Sequence, residues 1–166
     1  MNIVVYGFMG VGKTTVGELL AQNLGYEFID MDNEIEKRER ATINEIFQIY
    51  GESKFRKLES MLVKELSEKD KVVISCGGGV IINKDNAETL SRNSWMIHLT
   101  ASIGEIIERT KFDKNRPLLK VNNRLNTVSE LYELRKPIYH KYADITIDTT
   151  GKNPVKIVEM VLEAIK

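Results

Sequence analysis

A single cysteine, Cys76, excludes a disulfide framework and leads us to expect a chain kept in a reducing compartment. Neither sign of charge is in excess: Lys+Arg and Asp+Glu each number 24, so no global basic field points to nucleic acid or a membrane surface. An anionic ligand would have to be held by local clusters. No apolar run approaches the roughly 20 residues of a membrane span, and the first residues read as a strand rather than a signal peptide. Internal repeats, low-complexity tracts and an interdomain linker are also missing. With 166 residues, the expectation is one cytoplasmic domain with a core large enough to fold without staples.

What is present begins almost at once. Gly7-Phe8-Met9-Gly10-Val11-Gly12-Lys13-Thr14 is an uninterrupted match to G-x-x-x-x-G-K-[ST]. An apolar run, Ile3 to Tyr6, precedes it, and Val16, Leu19, Leu20 and Leu24 follow at helical spacing. The motif therefore sits on a strand–loop–helix unit, where its mechanics require it. Its glycines let backbone N–H groups close on phosphate oxygens. Lys13 supplies charge to the outer phosphates, and the Thr14 hydroxyl is a magnesium ligand. A nucleoside triphosphate with Mg2+ is the expected ligand.

Short apolar runs at 3–6, 26–29, 72–75, 95–99 and 145–147 lack polar alternation, as strands of a parallel sheet covered on both faces do. Helical patterns occupy 13–24, 42–66 with a break at Gly51, 85–92, 102–110, 127–142 and 154–165. Capping boxes open three of them, at Thr42…Glu45, Ser102…Glu105 and Thr127…Glu130, and Pro154 suits a first turn. In the 127–142 helix Pro137 predicts a kink or an early end. The result is an α/β doubly wound domain. Two intervals exceed a minimal sheet. One is an insert at 33–60, beside the nucleotide site. The other is a polar segment at 111–126, read as a lid.

Other residues bear on the chemistry. Asp30 and Asp32, two apart at the end of the second strand, are expected to point to one side, with a helix cap plus a solvated charge as the plainer reading. Gly77-Gly78-Gly79 ends the third strand, where three glycines allow close backbone approach to a ligand or simply a tight turn. Arg56 and Glu59, one helical turn apart, make a guanidinium fork oriented by a carboxylate. Arg56 or Arg135 taken alone reads as a surface charge. Arg116 lies in the lid segment, within reach of transferring phosphate, and Arg109 ends a helix, where it suits the helix dipole. Cys76 reads as a packing residue, and His98 and His140 as structural. No D-x-x-G or N-K-x-D signature of a GTPase is present. Asn83-Lys84-Asp85-Asn86 has its aspartate one position early and reads as a turn and helix start.

Taken in series, these pieces resemble the shikimate kinases. The likeness covers nearly the whole chain, through the Gly7–Thr14 loop, Asp30-Met31-Asp32, Phe55-Arg56…Glu59, Gly77-Gly78-Gly79, Arg116-Pro117-Leu118-Leu119 and Arg135…Tyr139. The resemblance implies a three-layer αβα P-loop NTPase fold with strand order 2-3-1-4-5, helices on both faces and a mobile lid. It implies ATP-dependent phosphorylation of the 3-hydroxyl of shikimate, in the pathway to chorismate and aromatic amino acids. By the same resemblance Lys13, Asp32 and Arg116 are catalytic. Gly10, Val11, Gly12, Lys13, Thr14, Thr15, Arg109, Arg116, Lys152 and Pro154 hold ATP, while Thr14 and Asp30 hold Mg2+. Asp32, Arg56, Gly77, Gly78, Gly79 and Arg135 hold shikimate, with Phe47 and Phe55 as an apolar wall. Some members carry arginine where this chain has Lys152. A monomer without nucleic-acid or membrane partners is expected. The competing readings are a gluconate-type P-loop carbohydrate kinase and a nucleotide-binding regulator without catalysis. A regulator would be expected to have lost Lys13, Asp32 or Arg116, and none is lost.

Overall fold

The computed structural model describes residues 1–111 and 124–166, with the side chains of 124 and 125 left aside. Five strands form one parallel sheet: β1 (Asn2–Gly7), β2 (Glu27–Asp30), β3 (Val72–Ser75), β4 (Ser94–Thr100) and β5 (Ile145–Asp148). Their order is β2-β3-β1-β4-β5, as expected, with Ile3 opposite Val73 on one side of β1 and opposite Trp95 on the other. Position in the sheet explains the sequence of each strand. Every residue of the central β1 and β3 is buried, whereas the edge strands β2 and β5 alternate or stay half-exposed.

The described helices are α1 (Lys13–Leu24), α2 (Met31–Glu39), α3 (Ile43–Ser67), α4 (Lys84–Ser91), α5 (Ile103–Thr110), α6 (Arg124–Tyr142) and α7 (Pro154–Ala164). The break expected at Gly51 is present, with φ 81° and ψ 170° inside α3. Thr42 and Glu45 form the reciprocal capping box. Ser102 accepts from Glu105 N at 3.2 Å, but the Glu105 carboxylate turns instead to Arg109 and Gly151, so only half of that box forms. Asn83 caps α4, as the turn reading of 83–86 requires.

Three expectations need correction. α2 has no counterpart in the apolar periodicity, because its nine residues are mostly charged and bury only Met31 and Ile35. Thr127 lies inside α6 rather than at its start, so no capping box opens that helix. Nor does α6 end early at Pro137. Pro137 and Glu133, the residue whose carbonyl loses a partner, both lie on the exposed side, while buried Val128, Tyr132 and Tyr139 hold the helix to the core. Positions 124–126 of the expected lid belong to α6. Positions 112–123 of that lid, Arg116 among them, lie outside the described residues.

Candidate active site

The phosphate loop joins β1 to α1, and Gly12 is the N-cap of α1 with φ 94°. Five other helices with a described N-cap are each capped by a side chain: Asp30, Thr42, Asn83, Ser102 or Asn153. α1 has no such cap. A left-handed glycine opens the first turn, leaving its N–H groups and the positive helix end to an anion. Lys13 is buried, and its Nζ donates to Gly7 O at 3.1 Å and Phe8 O at 2.9 Å. Thr14 Oγ1 donates to Asp30 Oδ2 at 2.7 Å, while Asp30 Oδ1 accepts from Asn33 N and caps α2. A hydroxyl and a carboxylate so paired are the hard oxygen donors that suit magnesium.

The expected geometry of Asp30 and Asp32 is right in outcome and wrong in cause. β2 ends at Asp30 and Asp32 sits in the first turn of α2, so a strand-to-helix corner, not strand alternation, brings both to one cavity. That cavity, about 420 Å3, has Lys13, Thr14, Asp30 and Asp32 on its lining together with Arg56, Glu59, Arg135 and the three glycines. Phe47 and Phe55 line it as well, with ring centroids 5.2 Å apart. Residues from α1, α2, α3, α6 and the turn after β3 thus meet at the C-terminal edge of the sheet, where open α/β folds hold ligands.

Each glycine of the triplet accommodates a charged side chain. A β-carbon at Gly77 would lie 2.9 Å from Asp32 Oδ1, and one at Gly78 would lie 3.0 Å from Arg135 Nη1. One at Gly79 would lie 2.6 Å from Arg56 Cζ. The turn is therefore bare because three charged groups rest on it. Arg56 is held from two sides, by Glu59 at 2.6 Å and by Glu52 at 3.2 Å. Glu59 is 1% exposed and its Oε2 has no hydrogen-bond partner among the described residues. Burial pushes its carboxyl up to about 7, with Asp32 adding to the shift and the Arg56 guanidinium opposing it. The sequence reading missed Glu52, although its i,i+4 spacing to Arg56 was a usable signal.

The remaining expected nucleotide residues lie outside this cavity: Gly10, Val11, Gly12, Thr15, Arg109, Lys152 and Pro154. Arg109 does more than close α5. It donates to Gly10 O at 3.0 Å and Thr149 Oγ1 at 3.2 Å and pairs with Glu105, tying the phosphate loop to the β5–α7 connection. Lys152 Nζ donates to Asp148 O, and Pro154 is in the first turn of α7, after the Asn153 cap. Cys76 is buried, and burial raises its thiol well above the ordinary range, as befits packing rather than nucleophilic use. His98 is fully buried, stacked on Tyr6 at 5.3 Å, and pushed down to about 4 by burial.

Sheet order and glycine loop together define the class, a P-loop protein with the five-stranded NTPase fold. Within that class the profile of one family, described as "Shikimate kinase", matches residues 9–166. The shikimate kinase of Thermodesulfovibrio yellowstonii is 43% identical over 162 residues, 98% of this chain and 93% of that protein. A solved shikimate kinase from Acinetobacter baumannii, in complex with shikimate, superposes with a TM-score of 0.96 at 39% identity, covering 99% of this chain and 92% of that one. The chain belongs to the shikimate kinase family, and is thus a kinase, an ATP-using phosphotransferase with an alcohol acceptor. A gluconokinase from Sinorhizobium meliloti, with TM-score 0.58 and 18% identity over 98% of this chain and 90% of that one, shares the fold.

Proposed function

We propose that this chain transfers the γ-phosphoryl group of ATP to the 3-hydroxyl of shikimate, giving ADP and shikimate 3-phosphate on the route to chorismate and aromatic amino acids. The observation that carries the reading is the contact of Asp32, Arg135 and Arg56 with Gly77, Gly78 and Gly79, in a cavity that Lys13 and Thr14 also line. Arg56 and Arg135 are the fork-shaped cations that a carboxylate acceptor calls for. The gluconate alternative is supported by likeness of fold alone.

Phosphoryl transfer through a loose transition state needs positioning and charge more than covalent help. Lys13 and the N–H groups of Gly10, Val11, Gly12, Thr14 and Thr15 hold the phosphates. Thr14 and Asp30 are the residues for Mg2+, which when bound offsets the charge of the outer phosphates. Asp32 binds the acceptor hydroxyls and orients the attacking one. Arg56 and Arg135 grip the carboxylate, Gly77, Gly78 and Gly79 offer backbone groups, and Glu59 steadies Arg56. Arg109, Lys152 and Pro154 flank the adenine. Arg116, on sequence grounds, balances the transferring charge. The enzyme works as a cytoplasmic monomer, without nucleic acid or membrane. Its zero formal charge gives no global basic field for nucleic acid, and among the described residues no helix is long and apolar enough to cross a membrane.

A coupled assay of ADP release tests the assignment. Turnover should depend on shikimate, with quinate and gluconate poor acceptors. Equal turnover with gluconate would overturn the substrate.

A further inference from the structure

We propose that Tyr139 is a positioning residue of the acceptor pocket, its phenol holding the Gly78 carbonyl and so orienting the glycine turn for substrate. The inference rests on the acceptor-site reading above. Tyr139 is fully buried and follows Arg135 by one turn of α6. Its Oη donates to Gly78 O at 2.5 Å. The same residue's backbone carbonyl accepts from Tyr6 Oη at 2.7 Å. That carbonyl is one of the last four of α6, which have no partner within the helix, so Tyr6 satisfies it and fastens the helix end to β1. Tyr139 thus has two separate attachments, to β1 through its backbone carbonyl and to the glycine turn through its side chain.

Three glycines in a row admit close neighbours but have no side chains to fix their conformation. Val80 N donates to Gly77 O at 3.2 Å and closes the turn, but the Gly78 carbonyl is fixed from outside it, by Tyr139. A peptide unit is planar and trans, so anchoring the Gly78 carbonyl also sets the direction of the Gly79 N–H, on a residue that lines the cavity. A β-carbon at Gly78 would lie 3.0 Å from Arg135 Nη1 and 3.5 Å from Tyr139 Oη, so the cation and the phenol converge on one residue. Burial pushes the phenol's pKa up, against the opposing Arg135 guanidinium, and so keeps the hydroxyl protonated as a donor.

Tyr139→Phe keeps the ring packed against Tyr6 and His98 and removes only the hydroxyl. Loss of one buried hydrogen bond of this kind should raise KM for shikimate roughly fivefold to tenfold, with KM for ATP and kcat within about threefold. Tyr6→Phe removes an equally buried hydroxyl that does not touch the turn. It should lower Tm comparably and leave KM for shikimate within about twofold. An unchanged KM in Tyr139→Phe, or the same rise in Tyr6→Phe, overturns the proposal. Arg135→Ala in the same assay separates the two levels. If it raises KM for shikimate and Tyr139→Phe does not, only this inference fails. If it leaves KM unchanged, the acceptor-site reading falls and takes this inference with it.

Discussion

Gly79 and Arg56 are in such close contact that a β-carbon on the glycine would lie 2.6 Å from Arg56 Cζ and 2.7 Å from Nη2. The intruded-upon group is the end of a flexible side chain, so Gly79→Ala should fold and displace the guanidinium rather than the backbone. KM for shikimate should rise by about tenfold or more, the scale of a lost charged hydrogen bond, with KM for ATP unaltered. Steady-state kinetics with each substrate varied in turn checks this, and an unaltered KM for shikimate would remove Gly79 from the acceptor site.

Arg56 and Asp32 should fail in different ways. Arg56→Ala leaves a substrate carboxylate unpaired and should raise KM for shikimate about 10- to 100-fold with a smaller change in kcat. Asp32→Ala should lower kcat on the order of a hundredfold while ATP affinity, read by equilibrium titration, stays near the wild-type value. A variant of Asp32 defective only in ATP binding would contradict its acceptor role.

Glu59 gives a pH signature with a definite sign. Its carboxyl stands near 7 in the fold against an ordinary 4.5, so below 4.5 both states hold the proton. Between 4.5 and 7 the unfolded chain ionises first, and stability from this group is lost as pH rises, by up to about 3 kcal/mol. Denaturant unfolding of Glu59→Gln, which cannot titrate, should lack this loss. Activity moves the other way, since the ionised carboxylate is what holds Arg56. The fall in kcat/KM for shikimate below pH 7 should be absent in the variant.

His98 has the opposite sign over nearly the same window. Burial first, then His140, holds it near 4 rather than 6.5. Stability is complete above 6.5 and declines as pH falls toward 4, because the unfolded chain takes up the proton. His98→Phe should flatten that acid limb in denaturant midpoints measured from pH 7 to 4. In the wild type the two groups offset one another, so single variants are needed to expose each.

Much of the fold was legible because its signals are local. The apolar runs located all five strands, Gly51 located the break, and Thr42 and Asn83 located helix starts. α2 escaped because only Met31 and Ile35 are buried in it, although Asp30 as a cap, acids in its first turn and Lys37 and Arg38 in its last were there to read. Of the two outcomes Pro137 allowed, a kink or an early end, the early end did not occur, because Pro137 and the Glu133 carbonyl it deprives of a partner lie on the exposed side, open to water.

By itself the sequence determined the phosphate loop, the strand order through its likeness to a family, and the residue types of both half-sites. These follow from short-range chemistry: a glycine loop, a capping side chain, an i,i+3 ion pair. Only the tertiary structure decided that Gly77, Gly78 and Gly79 meet Asp32, Arg135 and Arg56 in turn, that Glu59 is buried deeply enough to shift, and that Tyr139 holds the turn. Those relations join residues up to 61 positions apart, and distances between side chains on different elements arise only when the elements pack.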